Sequence, residues 1–311
     1  MITLERARNL STRLKAEIQS HSRDLLGDYP LEKYINCLNN YPEISDYRYL
    51  SSEVKRFCND LVNANDERVL GLYHKLLLVT LILNSGDRIE TKKLPDDIKL
   101  LYEQNFERII DRIECNTTAP GLYSYPNDSF LKDLGICSLR LIPTGARKMH
   151  LASPPLKRFL FTNGLRQTLR ALILLVFELK GYKPLYYGHL DSNDPNLMAE
   201  FNPEGHIRHY QRVAKLLKMN MRVKGLMAIA WYFDPKLESI SPRLNYLREI
   251  PMQNGGQLFC LGSTVQAIEN AILKSPTRRE LYRQAKYVPT EYLLIWPRKS
   301  LIMWANRKAP G

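Results

Sequence analysis

A change of hydrophobic period near residue 115 restricts the fold of this chain more than any other feature. Up to that point the apolar positions keep helical spacing. In LPDDIKLLYEQNFERIIDRIE (94–114), Ile98, Leu101, Tyr102, Phe106, Ile109, Ile110 and Ile113 fall on one helical face. SSEVKRFCNDLV and DERVLGLYHKLLLVTLIL read likewise around NAND and NSGD, so four or five helices are expected before residue 115. NTTAPGLYSYPNDS (116–129) collects residues that favour turns. It is the expected boundary between a helical domain, 1–120, and a second domain, 130–311. A chain of 311 residues is long enough for two separate cores.

Beyond the boundary, short β-like runs alternate with amphipathic helices. ICSLRLIP and RKMHLA read as a hairpin about Thr144-Gly145. RQTLRALILLVFELKG reads as helix, PLYYGHLD as strand, GHIRHYQRVAKLLKMN as helix and VKGLMAIAWYF as strand. SPRLNYLRE follows as helix, QLFCLGS as strand, TVQAIENAILKS and PTRRELYRQAKY as helices, and YLLIWP and SLIMWA as two closing strands. Such alternation implies an α+β protein: a helical N-terminal domain, then an α/β domain with helices packed on a mixed sheet.

Several classes lose ground. The longest apolar run, Leu169 to Leu179, is about half the ~20 residues of a membrane span and contains Arg170 and Glu178, so it predicts a buried helix and no span. At the N-terminus, Glu5, Arg6 and Arg8 stand where a secretory signal needs an apolar core. The five cysteines, Cys37, Cys58, Cys115, Cys137 and Cys260, are odd in number and form no CxxC, which favours a reduced, cytoplasmic setting. No P-loop, GxGxxG or nucleophile elbow is present.

Charge is unevenly placed. Residues 1–200 carry 27 Lys and Arg against 25 Asp and Glu, whereas 201–311 carry 18 against 7. A net +11 in the last third favours an anionic partner, either a phosphate-bearing cofactor or a nucleic acid, unless it is only a solvated surface.

The order strand QLFCLGS, helix ending in Leu281-Tyr282 with an aromatic at Tyr287, then two strands, resembles the closing part of the GCN5-related N-acetyltransferase (GNAT) fold, over residues 183–305. In that family the last helix often carries a tyrosine in an LYxxxGF-like phrase. The resemblance implies an acyltransferase that moves an acyl group from acyl-CoA or acetyl-CoA to an amine acceptor, with Tyr282 protonating the departing thiolate. Lys286-Tyr287 stand where Gly-Phe is usual, and the family's phosphate-loop pattern Q/R-x-x-G-x-G/A is absent.

Residue chemistry supplies the remaining candidates. Gly262, Ser263 and Thr264 lie between a strand and a helix, where free amides and the helix dipole favour an anion, although Ser263 with Gln266 also makes a capping box. Asn254-Gly255-Gly256 reads as a turn or a close approach to phosphate. Arg278, Arg279 and Arg283 offer guanidinium donors suited to phosphate, or a solvated helix face. His189 or His206 could take a proton from an amine near neutral pH. His206 and His209 with His189, Asp191 and Glu204 have metal-ligand types, but HxxH without HExxH is weak and no metal is expected. Trp231, Tyr232 and Phe233 at a strand end could wall a ligand site or simply pack. The alternatives to catalysis are a nucleic-acid (RNA) binding protein, using the basic segment and exposed aromatics, and a noncatalytic scaffold.

Overall fold

The computed structural model describes residues 2–49, 51–64, 67–115, 121–125, 127–273 and 275–308. The chain divides into two compact units, Met1–Thr144 and Gly145–Gly311. Of the expected 116–129 boundary, residues 116–120 and 126 lie outside the described residues. The sheet-bearing unit begins at Gly145 rather than at residue 130, because the next helix packs with the first unit.

The first unit is helical: α1 (Ile2–His21), α2 (Leu25–Asp28), α3 (Leu31–Asn39), α4 (Ser52–Ala64), α5 (Glu67–Leu83), α6 (Gly86–Thr91), α7 (Asp96–Glu114) and α8 (Asp128–Cys137), followed by a two-residue strand, β1 (Ile142–Pro143). Seven of these, α1 to α7, fall before residue 115 against the four or five expected, because α2 and α6 are too short to give a periodic signal. Ile136 and Cys137, expected in a strand, close α8. The strongly apolar α5 is buried on nearly all sides and contacts α1, α3, α4, α7 and α8, as a helix hydrophobic all round must. On α7 the anticipated face is inward, with Ile98, Tyr102, Phe106, Ile109, Ile110 and Ile113 buried.

The second unit carries β2 (Lys148–Ala152), α9 (Leu156–Phe161), α10 (Gly164–Ile173) running into a π-helical turn (Leu174–Glu178), β3 (Leu185–His189), α11 (Pro195–Ala199), α12 (Pro203–Met219), β4 (Gly225–Ala230) and a 3₁₀ turn (Trp231–Phe233). Then come α13 (Leu237–Ile240), α14 (Tyr246–Met252), β5 (Gln257–Gly262), α15 (Val265–Leu273), α16 (Pro276–Arg283), β6 (Glu291–Pro297) and α17 (Arg298–Lys308). Its sheet runs β2-β3-β4-β6-β5. β3 and β4 are parallel, joined by the α12 crossover, and the other neighbours are antiparallel. The mixed sheet with packed helices is the expected architecture.

Strand alternation gives this sheet two apolar faces. On one, Leu185, Met227, Phe259, Leu293 and Ile295 pack with Phe159 of α9 and with Ala171, Leu174 and Leu179 of the α10 segment. On the other, Ala228, Ala230 and Leu294 pack with Phe233, Leu237, Leu247 and Tyr287. Trp296 is also buried there against Tyr210 of α12 and Trp304 of α17.

Two expectations need correction. SLIMWA is not a closing strand: 298–308 form α17, with Leu301, Trp304 and Ala305 buried at helical spacing, and no turn residues after Pro297 to reverse a hairpin. The 169–179 run is not a buried helix either. Ala171, Leu174, Leu175 and Leu179 point inward, but Leu169, Ile173, Val176 and Phe177 face outward.

Candidate functional site

The parallel pair of the sheet is the place of chemical interest. Strands β3 and β4 are in register at Tyr186↔Leu226 and Tyr187↔Met227, and β4 pairs β6 over six positions from Gly225 to Ala230. Both parallel strands run on toward their carboxyl ends. The carboxyl edge of parallel strands is where α/β sheets receive ligands. The crossover helix α12 returns antiparallel to its strands, so its N-terminus lies at that same edge. Asn202 caps it, its Oδ1 accepting from Gly205 N at 2.8 Å, and Pro203 occupies the first turn, where no intrahelical donor is lost. Gly205 allows a close crossing: a Cβ there would collide with the backbone carbonyl of Glu200.

On the α12 face, Arg147 is buried and donates from Nη1 to the Tyr232 hydroxyl at 2.8 Å. Its guanidinium lies 5.4 Å from the Tyr232 ring centroid and 6.0 Å from that of Phe233. His206 has no exposed surface and sits edge-on to Phe201 at 5.2 Å and Tyr246 at 5.3 Å. Its Nδ1 lies 3.2 Å from the Asn202 carbonyl, an acceptor only, so Nδ1 carries the proton and Nε2 the lone pair. That Nε2 is buried without a hydrogen-bond partner. Burial first, and the Arg147 charge second, push the His206 pKa down to about 3. His209, also buried, is lowered chiefly by desolvation. Both imidazoles are neutral at pH 7, and His206 is a poor proton acceptor.

On the opposite face, Lys148 is buried between two carboxylates, its Nζ 2.8 Å from Asp191 Oδ2 and 2.9 Å from Asp194 Oδ2. Asp194 also caps α11, accepting from Asn196 and Leu197 amides. The antiparallel register places Lys148 opposite His189 and His150 opposite Tyr187. The His150 and His189 rings stack at 4.7 Å, with His189 Nε2 2.8 Å from His150 Nδ1, so one proton is shared between the two nitrogens.

His189 and His206 are therefore not brought together. His189 follows Leu185 and Tyr187 on the α10 face, while His206 packs with Phe201 and Tyr246 on the other. Gly262, Ser263 and Thr264 lie at the carboxyl end of β5, on the same sheet edge but separated from β4 by β6, about 10 Å away at ordinary strand spacing. Gly262 has φ +80°, a conformation that favours glycine, at a register shift against β6. Ser263 is not the cap: Thr264 Oγ1 accepts from Ala267 N at 3.1 Å.

The three arginines have different surroundings. Arg278 is buried, donating from Nε to Ala271 O at 2.6 Å and from Nη1 to Ser241 Oγ at 2.9 Å, with its guanidinium 4.6 Å from the Trp231 ring centroid. Arg279 is exposed and closes the end of α15 through Leu273 O at 3.0 Å, and exposed Arg283 pairs with Glu280 at 3.6 Å. Tyr282 is half-buried on α16, beside Leu281, which packs into the α12-side core. Asn254-Gly255-Gly256 form a turn, and the Asn254 carbonyl accepts from Trp296 Nε1 at 2.9 Å. Among the described residues, no group of three or more His, Cys, Asp or Glu side chains is arranged to hold a metal.

Sequence reasoning passed over Arg147, Lys148, His150 and Asp194. Only the alternation of Lys148 and His150 in RKMHLA hinted that they share a face. No family model, curated protein or solved structure matches the chain.

Proposed function

We propose that the second unit is an acyltransferase that binds a coenzyme A thioester at the carboxyl ends of β3 and β4 and passes its acyl group to an amine. The observation that carries this reading is the parallel pairing of β3 with β4, which puts their carboxyl ends and the start of the crossover helix α12 at one sheet edge. The amide-bearing arm of a coenzyme A thioester could lie along that edge by backbone pairing. The N-terminal turn of α12 at the same edge suits the pyrophosphate, because its amides and dipole favour an anion. Of the order that carries the GNAT resemblance, strand β5, helix α16 and strand β6 are present, while α17 stands in place of the second closing strand. In this reading the amine attacks the thioester carbonyl, its proton passes to water, and Tyr282 protonates the departing thiolate; His189, on the opposite face of the sheet from Tyr282, is not assigned as base. His206 is not assigned as base, given its low pKa.

The test is a thermal-shift titration of the full chain with acetyl-CoA, longer acyl-CoAs and single-stranded RNA. A ligand that binds only the folded state raises Tm by mass action. A rise with an acyl-CoA, together with an about 10²-fold loss of turnover at unchanged Tm in Tyr282→Phe, is expected. No shift with any acyl-CoA, alongside RNA binding that weakens steeply with salt, would replace this reading with the nucleic-acid one.

A further inference from the structure

The helix that should have been buried presents a ridge to solvent. Leu165 is 88% exposed, Phe177 72%, and Leu169, Ile173 and Val176 project from the same side, with Phe161 of α9 at its start. The orientation is locked. Gln167, on the inner face, donates to the Cys260 carbonyl and accepts from the Cys260 amide, both at 2.9 Å, so it binds α10 to the backbone of edge strand β5. Thr168 Oγ1 donates to Leu160 O at 2.6 Å, which ties α10 to α9. With Ala171, Leu174 and Leu179 already committed to the core, the remaining apolar side chains have no room to turn inward. These five large apolar side chains, exposed along one helical segment, mark an interaction surface.

The charge beside it selects the partner. Lys157, Arg166, Lys180 and Lys183 are exposed along the same segment, and Glu178 is the one acidic residue between 157 and 183. A second copy docking here would bring two like-charged borders together, which costs rather than gains. An anionic lipid surface satisfies both features. The α10 segment and its π turn span Gly164–Glu178, about 22 Å at helical rise, too short and too charged to cross a bilayer but suited to lying in its interface. We propose that this ridge seats the second unit on an anionic membrane surface. Leu165, Leu169, Ile173 and Phe177 enter the acyl boundary, and the lysines and Arg166 meet lipid phosphates. The proposal does not depend on the acyl-transfer reading.

Co-sedimentation of the full chain with vesicles of phosphatidylcholine, with and without about one third phosphatidylglycerol, tests it. Binding to the anionic vesicles is expected, weakened by salt, and reduced about 10-fold or more in Leu169→Glu with circular dichroism and Tm unchanged. Leu165→Ser, at the most exposed position, serves where Leu169→Glu misfolds. Three results would overturn the proposal: no preference for anionic vesicles, equal binding by a folded Leu169→Glu or Leu165→Ser variant, or a wild-type dimer in sedimentation velocity that those substitutions dissociate. Equal binding of polyglutamate and vesicles, unaffected by the apolar substitutions, would reduce the ridge to a generic cationic surface and equally defeat it.

Discussion

Acidification should destabilise the second unit, and His206 allows the size of the effect to be worked out. A histidine held near its ordinary pKa of about 6.5 in the unfolded chain and at about 3 in the folded one binds fewer protons when folded. Because the folded pKa is depressed, the stability tied to its neutral form is fully present above pH 6.5 and is lost as pH falls toward 3. Between pH 7.5 and 5.0 this amounts to about 2 kcal/mol for His206. Buried His209 shifts in the same direction and adds to the loss. Domains are stable by only about 5–15 kcal/mol, so the change is readily measured. All three tryptophans, Trp231, Trp296 and Trp304, belong to the second unit, so their fluorescence follows its urea unfolding separately from the helical unit. His206→Gln keeps a side chain that can donate to the Asn202 carbonyl but does not titrate. Its unfolding free energy should fall by about 2 kcal/mol less than that of the wild type over the same pH range. Parallel curves for the two proteins would refute the placement of His206 in a dry, uncharged site.

Other substitutions follow from the packing. Gly205→Ala should destabilise the second unit by about 1–3 kcal/mol in the same urea assay, since the added methyl meets the Glu200 backbone rather than a yielding side chain. Arg278→Met should cost about 2–3 kcal/mol through its lost charged hydrogen bonds to Ala271 and Ser241, whereas Arg279→Met, on the surface, should stay within about 0.5 kcal/mol. Equal effects would mean that Arg278 does not join these segments. Lowering pH from 6.5 toward 4 should also weaken the helical unit. His74, buried with Nδ1 2.6 Å from the Tyr123 carbonyl, is pushed down to about 4 by desolvation and so loses its stabilising neutral state as it protonates. Far-ultraviolet circular dichroism of wild type and His74→Gln checks this, and identical pH profiles would exclude it.

Local pattern alone determined much of the architecture. The three-and-four spacing of Ile98 through Ile113 became α7, GHIRHYQRVAKLLKMN became most of α12, and PLYYGHLD, VKGLMAIAWYF and QLFCLGS contained β3, β4 and β5. These signals survive because burial of one face is written into the period of a single element. The candidate site was legible only in part. His189, the Trp231–Phe233 turn and the α12 start were in view, but nothing local revealed that His189 and His206 face opposite sides of the sheet, that Lys148 lies between Asp191 and Asp194, or that β3 pairs in parallel with β4. Those facts come from strand order and register, which depend on partners tens of residues away. SLIMWA illustrates the same limit: its short apolar run fits strand or helix, and packing of Trp304 against Trp296 and Tyr210 decided for α17. The outward ridge of α10 was likewise set elsewhere, by Gln167 binding to the β5 edge, so that only the tertiary structure decided which half of an apolar helix faces water.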